Sequence, residues 1–300
     1  MQKEIIFIGL GRMGAAMTEH LVEEGYTVHG FDVSPEARAT AAGFGVDVHD
    51  SIGAAISHME GKKVVWMMVP SKFVNDVLQE VTTKLTTDDI IIDGGNTFFK
   101  ETLARAETTK AKGIHYVDCG TSGGVDGARH GASLMIGGDN AVVREIEHIF
   151  TTLAAPGGYG HVGKSGAGHF VKMVHNGIEY GMMGAIAEGV NFIESEQPDL
   201  EIDVQTALKP YENGSIISSS LMGWLADSFT TNGYLEQIAG EVPQGETEME
   251  MEYIVEQAKT PVLNAALEQR KATRKAPSRT GTFISAMRNQ FGGHKTIKKD

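Results

Sequence analysis

Apolar positions in the first half of the chain fall in short runs, separated by stretches with helical spacing. Glu4-Ile5-Ile6-Phe7-Ile8 is an apolar run that ends in glycine. Residues 13–24 then carry helical periodicity, and Thr27-Val28-His29-Gly30-Phe31 has strand character. Further buried strands are predicted at residues 63–69, 90–93, 115–118 and 133–136, with polar helical stretches between them. Near-continuous apolar strands alternating with helices imply a parallel sheet covered on both faces. After Pro156-Gly157-Gly158 the pattern changes. From about Gly166 onward the periodicity is helical, and runs of β-branched residues are few.

Gly9-Leu10-Gly11-Arg12-Met13-Gly14 sits between the first strand and the first helix. In such a GxGxxG the glycines serve a tight turn, backbone approach to a pyrophosphate and close helix–strand packing. The helix start then offers N–H groups to the phosphates. Asp32 ends the second strand, 18 residues beyond Gly14, where a carboxylate can accept hydrogen bonds from the adenine ribose. An acid there repels a 2′-phosphate, so the expected cofactor is NAD rather than NADP. The competing reading is that Asp32 merely caps the turn at Ser34-Pro35. Val69, Pro70 and Ser71 after the next long strand, and Asn96 after the one beyond it, complete the nucleotide-binding candidates. The expected fold is α/β: a doubly wound Rossmann-type parallel sheet over residues 1–164, followed by an all-helical C-terminal domain over residues 165–300.

Composition narrows the field. The net charge of −13 disfavours nucleic acid as a partner. Charge is uneven: residues 188–256 hold 15 acids against Lys209, whereas residues 259–300 hold ten Lys/Arg against Glu268 and Asp300. A cationic end on an acidic protein suits a small anionic ligand. The single cysteine, Cys119, excludes an intrachain disulfide and fits a reducing compartment. No apolar stretch approaches the roughly 20 residues of a membrane span, and the first residues lack a leader's apolar run. A cytoplasmic protein is expected, with no membrane partner. The 11 histidines show no HExxH, and Cys119 has no cysteine partner for zinc, so no metal site is expected. His20, His58 and His161 read as surface or packing residues.

The block from Gly166 to Tyr180 carries the chemistry. On a helix, Lys172, His175, Asn176, Glu179 and Tyr180 are spaced i, i+3, i+4, i+7 and i+8, so they share one stripe. A solvated face with a Lys–Glu pair is the plain alternative, but glycines beside the stripe permit close backbone approach. Asp118-Cys119-Gly120-Thr121-Ser122-Gly123-Gly124 follows a strand and can cradle a carboxylate through its N–H groups. A nucleotide fold, an acid/base stripe and an anion loop together favour dehydrogenation of a hydroxy acid.

These motifs resemble the β-hydroxyacid dehydrogenases through the GxGxxG, the Ser122-Gly123-Gly124 loop and Gly168 with Lys172. Asp93-Gly94-Gly95-Asn96-Thr97 and His175-Asn176-Gly177-Ile178-Glu179-Tyr180-Gly181 resemble, more narrowly, the decarboxylating 6-phosphogluconate dehydrogenases. The length is similar to that family's short form, and Arg288-Asn289-Gln290-Phe291-Gly292-Gly293-His294 is similar to its closing motif. The resemblance implies oxidative decarboxylation of 6-phosphogluconate to ribulose 5-phosphate. It makes Lys172 the general base on the 3-hydroxyl and Glu179 the acid that protonates C1 of the enol. Asn96, Ser122, Gly123, Gly124, His175 and Asn176 would hold the sugar-acid chain. Tyr180, Arg270, Arg288 and His294 would hold the phosphate, the last two supplied by a partner subunit of a homodimer or higher homo-oligomer with a shared site. To act as base, Lys172 needs its pKa lowered from ~10.4 to about 7–8. Two departures stand out. Asp32-Val33-Ser34 replaces an Asn-Arg-Thr type run, which strengthens NAD. Gly245-Glu246-Thr247-Glu248-Met249 replaces a Gly-x-Gly-Lys/Arg-Trp-Thr phosphate block, which implies weakened or rearranged phosphate binding. The rivals are an NAD-dependent dehydrogenase of another 3-hydroxy acid, without phosphate or without decarboxylation, and an NAD-sensing module without turnover.

Overall fold

The computed structural model describes residues 3–195 and 198–299. The chain separates into two compact units, residues 1–172 and 173–300.

The first unit is built on eight strands: β1 (Glu4–Ile8), β2 (Thr27–Phe31), β3 (Asp47–Val48), β4 (Val64–Met67), β5 (Ile90–Asp93), β6 (His115–Ser122), β7 (Ala132–Gly137) and β8 (Ala154–Gly163). Their order is β3-β2-β1-β4-β5-β6-β7-β8. Successive residues of a strand face opposite sides, so continuous apolar runs feed two cores. Ile5, Phe7, Trp66 and Ile92 pack on one face, and Ile6, Ile8, Val65, Met67 and Ile91 on the other. The sheet is Rossmann-like, with β1 and β4 adjacent where the strand order reverses.

Three features differ from the sequence expectation. β7 runs antiparallel to β6, with Cys119 opposite Ile136. Only a short helix, Gly124–His130, links them, and a parallel return needs a dozen or more residues. Pro156-Gly157-Gly158, read as the end of the sheet pattern, lies inside β8. The outermost strand tolerates proline, and Gly157 takes φ +76° beside a shift in register. β3 has two residues, too few to show any periodicity.

The second unit contains most of the long helix Ala167–Ser195, followed by the helices Val204–Glu212, Ser220–Thr230, Glu248–Gln257, Pro261–Thr273 and Arg279–Gly292. Met183, Ala187, Leu208, Leu225, Phe283 and Met287 form its main core. Helices are started by side-chain caps, such as Ser219 on Met222 and Ser278 on Gly281. Among the described residues no helix is long and apolar enough to cross a membrane.

Candidate active site

At the ends of β1, β2 and β4 the three glycines of the GxGxxG do three separate jobs. Gly9 has φ +98°, and a Cβ there would strike the Met68 carbonyl, so the turn demands glycine. A Cβ on Gly14 would strike the Gly9 carbonyl, which fixes how closely the helix meets the strand. A Cβ on Gly11 would meet no protein atom within 4 Å, so that backbone is the one open to a ligand. Arg12 and Met13 open the helix Arg12–Glu23, whose start no side chain caps. That is the geometry in which helix N–H groups take a pyrophosphate.

Asp32 does two things at once. Its Oδ1 accepts the Ser34 N–H at 2.8 Å, the turn-capping role, and its Oδ2 accepts the Leu10 N–H at 2.7 Å. The second bond fixes the carboxylate against the glycine turn. A carboxylate offers about four acceptor sites, so ribose hydroxyls can still be taken. Leu10 itself is buried in the core, and only its backbone serves the site. Val69, followed by Pro70 and the short turn Ser71–Phe73, reaches the same rim: a Cβ on Gly9 would stand 3.0 Å from Val69 Cγ1.

The Asn96 loop is held from beneath by Asp93, which is fully buried. Its carboxylate accepts from Tyr116 Oη at 2.7 Å, Thr97 Oγ1 at 3.3 Å and Gly95 N at 3.2 Å. Arg105 Nη1 lies 3.7 Å away. Burial, and then the Asp93 charge, push the Tyr116 hydroxyl well above its ordinary range, so it stays a donor. The motif's aspartate is therefore a loop staple. Ser122, Gly123 and Gly124 follow on β6 and beyond it; Gly123 has φ +115° and Gly124 φ +63°, which the tight turn requires.

Lys172 is half-buried near the start of the long helix. Asp118 holds that helix start: its carboxylate accepts the N–H of Gly166 at 2.6 Å and of His169 at 2.9 Å. Glycines allow the helix to sit directly on the sheet. A Cβ on Gly120 would stand 2.5 Å from Lys172 Cβ, and one on Gly137 would stand 2.7 Å from Gly168 N. The glycines beside the polar stripe thus serve backbone packing. Sequence reasoning missed Asp118 as a helix anchor, although its place at the end of a predicted strand was visible. Cys119 is buried on the same strand, and burial pushes its thiol up to about 12.

In the second unit, His175, Asn176, Glu179 and Tyr180 continue along the same helix. His175 Nδ1 stands 3.9 Å from Glu179 Oε2, and Asn176 Nδ2 donates to Glu250 Oε2 at 3.2 Å. Tyr180 Oη and Thr247 Oγ1 share a hydrogen bond at 2.8 Å. The Arg270 guanidinium lies 3.2 Å above the Tyr180 ring centre. Its Nη2 stands 3.6 Å from the Met183 sulfur, and its buried Nε has no hydrogen-bond partner among the described residues. Arg288 donates to the Pro243 carbonyl at 2.9 Å, and a Cβ on Gly245 would stand 3.0 Å from its Nη2. Burial lowers the pKa of Arg270 to about 10, with the neighbouring Arg288 charge adding to the fall, and burial lowers that of Arg288 as well.

Arg288 lies in the same unit as Tyr180 and Arg270, close enough for its charge to act on Arg270. The tail folds back on its own unit: Ala239 N donates to the Ile297 carbonyl at 2.8 Å, and Lys299 N to the Gln237 carbonyl at 2.8 Å. Gly293 ends the last helix with φ +57°, and the His294 ring then lies edge-on to Phe291, centres 5.7 Å apart. The acidic block that stands in place of the phosphate motif has partners of its own. Glu248 is taken by a two-pronged pair with Arg274, both bonds 2.9 Å, and the Thr247 hydroxyl serves Tyr180.

Comparison with known proteins agrees with this geometry. The NAD binding domain of 6-phosphogluconate dehydrogenase matches residues 4–170, and the C-terminal domain of the same family matches residues 168–198. Bacillus subtilis YqeC, provisionally named a 6-phosphogluconate dehydrogenase, is 39% identical over 298 residues, covering 99% of this chain and all of its own. The NAD(+)-dependent, decarboxylating 6-phosphogluconate dehydrogenase of Haloferax volcanii is 36% identical, covering 98% of both chains. Among solved structures, Plasmodium falciparum 6-phosphogluconate dehydrogenase superposes with a TM-score of 0.80 at 24% identity, over 99% of this chain and 66% of that one. Mycobacterium tuberculosis 3-hydroxyisobutyrate dehydrogenase gives 0.70 at 23% identity, over 96% and 100%. These likenesses extend from the glycine turn through the long helix, and the chain is an NAD-binding oxidoreductase of the 6-phosphogluconate dehydrogenase family.

Proposed function

We propose that the protein oxidises 6-phosphogluconate with NAD and decarboxylates the product to ribulose 5-phosphate. The observation that carries this reading is the Arg270–Arg288 pair. Two guanidiniums are buried together with a ring face, a thioether and a carbonyl as close neighbours, and burial lowers the pKa of both despite the opposing charge of Glu179. An oxyanion would restore what water no longer supplies, and a phosphate dianion matches the guanidinium fork.

Lys172 takes the proton of the 3-hydroxyl, and bound NAD would supply the hydride acceptor for C3. The new ketone lies β to the carboxylate, so CO₂ leaves and its bonding pair becomes the C2–C3 enolate. Glu179 then delivers a proton to the carbon that lost CO₂. A base and an acid seven residues apart on one helix suit the two ends of this three-carbon unit. Asn96, Ser122, Gly123, Gly124, His175 and Asn176 hold the acid chain, and Tyr180, Arg270, Arg288 and His294 the terminal group. In Haloferax volcanii a relative of equal length is named for this reaction with NAD.

The second reading is a 3-hydroxy acid without phosphate, favoured by the acidic Gly245-Glu246-Thr247-Glu248-Met249 block. A panel of phosphorylated and unphosphorylated aldonic acids, with NADH and CO₂ both measured, separates the two. Phosphorylated acids should lead in kcat/KM by at least tenfold, and each NADH should be matched by one CO₂. Equal rates for the unphosphorylated acids would favour the second reading, and no NADH with any acid would leave a sensor. Lys172→Met should cost roughly 10²–10⁴ in NADH formation, the usual worth of a general base. Glu179→Gln should impair enol protonation and leave more of the oxidation step in single-turnover assays.

A further inference from the structure

Three histidines and two carboxylates gather at the β3 edge of the sheet, and the reaction described above uses none of them. His29 lies mid-way along β2, Asp47 pairs beside it on β3, and His49 follows two residues later. Glu4 opens β1, and His58 ends the helix Ile52–His58. His29 and His49 are buried, while the Asp47 side chain is 57% exposed.

Three donor atoms from this group converge. His29 Nδ1 stands 3.1 Å from Asp47 Oδ2 and 3.2 Å from His49 Nε2, and His49 Nε2 stands 3.4 Å from Asp47 Oδ2. The triangle has the right size for an ion. Zinc-type bonds of about 2.0–2.1 Å in a tetrahedral arrangement put ligand atoms roughly 3.3–3.4 Å apart. The outer contacts match as well. His29 Nε2 lies 2.9 Å from Glu4 Oε1. With that nitrogen donating its proton to Glu4, Nδ1 turns a lone pair toward a carboxylate oxygen and a second imidazole. Acceptors this close repel unless a cation or a proton stands among them. A carboxylate behind a ligating histidine is also how metal sites fix the ring and its tautomer. The His58 ring packs 4.3 Å from His49, and its Nδ1 lies 2.8 Å from the Ala54 carbonyl, which steadies the exposed side of the cluster.

We propose that His29 Nδ1, Asp47 Oδ2 and His49 Nε2 form a zinc-type divalent metal site that ties the two-residue edge strand β3 to β2. Two imidazoles and one carboxylate select a borderline ion such as Zn²⁺, Co²⁺ or Ni²⁺ over Mg²⁺ or Ca²⁺. Asp47's exposure gives the ion a way in and leaves water as the fourth ligand. The site's role is structural: β3 has only Asp47 and Val48 to hold it, and the ion bonds His29 on β2, Asp47 on β3 and His49 just beyond it.

The test uses tag-free full-length protein, stripped with chelator and titrated with Co²⁺ and Zn²⁺. One equivalent of Co²⁺ should bind with the absorption bands of a four-coordinate ion. Zinc at about a hundred times its Kd should raise Tm by roughly 5 °C or more. His49→Asn and Asp47→Asn should each weaken binding at least tenfold and abolish the rise. Glu4→Gln should weaken it by about 10–100-fold while leaving the ligands in place. His161→Asn, far along the sheet on β8, should bind as the parent does. Binding unchanged in both His49→Asn and Asp47→Asn would overturn the proposal. So would a Tm that follows pH through the histidine range and ignores zinc, because the cluster would then hold a proton. The Asp47 side chain is 57% exposed and Asn has nearly the same shape, so loss of folding cannot hide the answer.

Discussion

The two units treat buried charge in opposite ways. In the first, Asp93 and Asp118 are fully buried and their oxygens are occupied by the protein's own donors. Asp89, also buried, accepts from Lys63 N, Thr86 N and Thr86 Oγ1 at 2.7–3.1 Å. In the second, Arg270 and Arg288 are nearly as deeply buried, yet a sulfur, a carbonyl and a ring face are their close neighbours, and the charges of Glu179 and Glu248 only partly offset their burial. A buried ion with full hydrogen bonding fixes backbone; one held short of partners is poised for a ligand of opposite sign. Carboxylates here position the site, and guanidiniums receive.

The largest effect should come from removing a positioning carboxylate. Asp118→Ala leaves two helix-start N–H groups buried without an acceptor and should cost about 3 kcal/mol of stability, read as a drop in the denaturant midpoint. A loss under about 1 kcal/mol would break the contrast, since Asp118 would then be a replaceable polar group. Arg288→Met should do the reverse. Binding of the phosphorylated acid should weaken tenfold or more, about 1.4 kcal/mol, while Tm holds steady or rises because an under-bonded buried charge is gone. A fall in Tm comparable to Asp118→Ala would make Arg288 a structural ion instead. Asp32 combines both roles, holding Leu10 and facing the cofactor. Discrimination against NADP should be at least tenfold in kcat/KM, and Asp32→Asn should narrow it. An unchanged ratio would confine Asp32 to the turn. Thr247→Val should have the smallest effect: losing its bond to Tyr180 should cost about 1 kcal/mol and raise KM a few-fold, because the ring that carries Arg270 would be less well held.

The nucleotide end was legible because its information is local. The glycine turn, the strand before it and Asp32 lie within one strand–helix–strand stretch, and each glycine's job follows from spacing alone. β1, β2, β4 and β5 were readable because burial on both faces leaves apolar runs. The strands that escaped had no such signature: β3 is too short, and β8 carries Pro156 and Gly157 because an outermost strand can. The reversal at β7 is set by the length of its link to β6. Arg288's place near Arg270 is a matter of tertiary packing, which no sequence motif shows. The His29, Asp47 and His49 cluster was invisible for the same reason, since strand pairing joins positions that no local spacing connects.

Gly120, Gly137 and Gly168 let one helix rest on bare backbone, with no side chain to act as a spacer. Lys172 is consequently located by main-chain atoms, which do not change rotamer and cannot be repacked. Laboratory evolution toward other hydroxy acids therefore has little freedom there, because any methyl added at those three positions shifts the lysine's anchor. It has more freedom among the residues around Arg288, where side chains set the distances. Broadened specificity should accumulate in the second unit, and the lysine's seat should be the last part to vary.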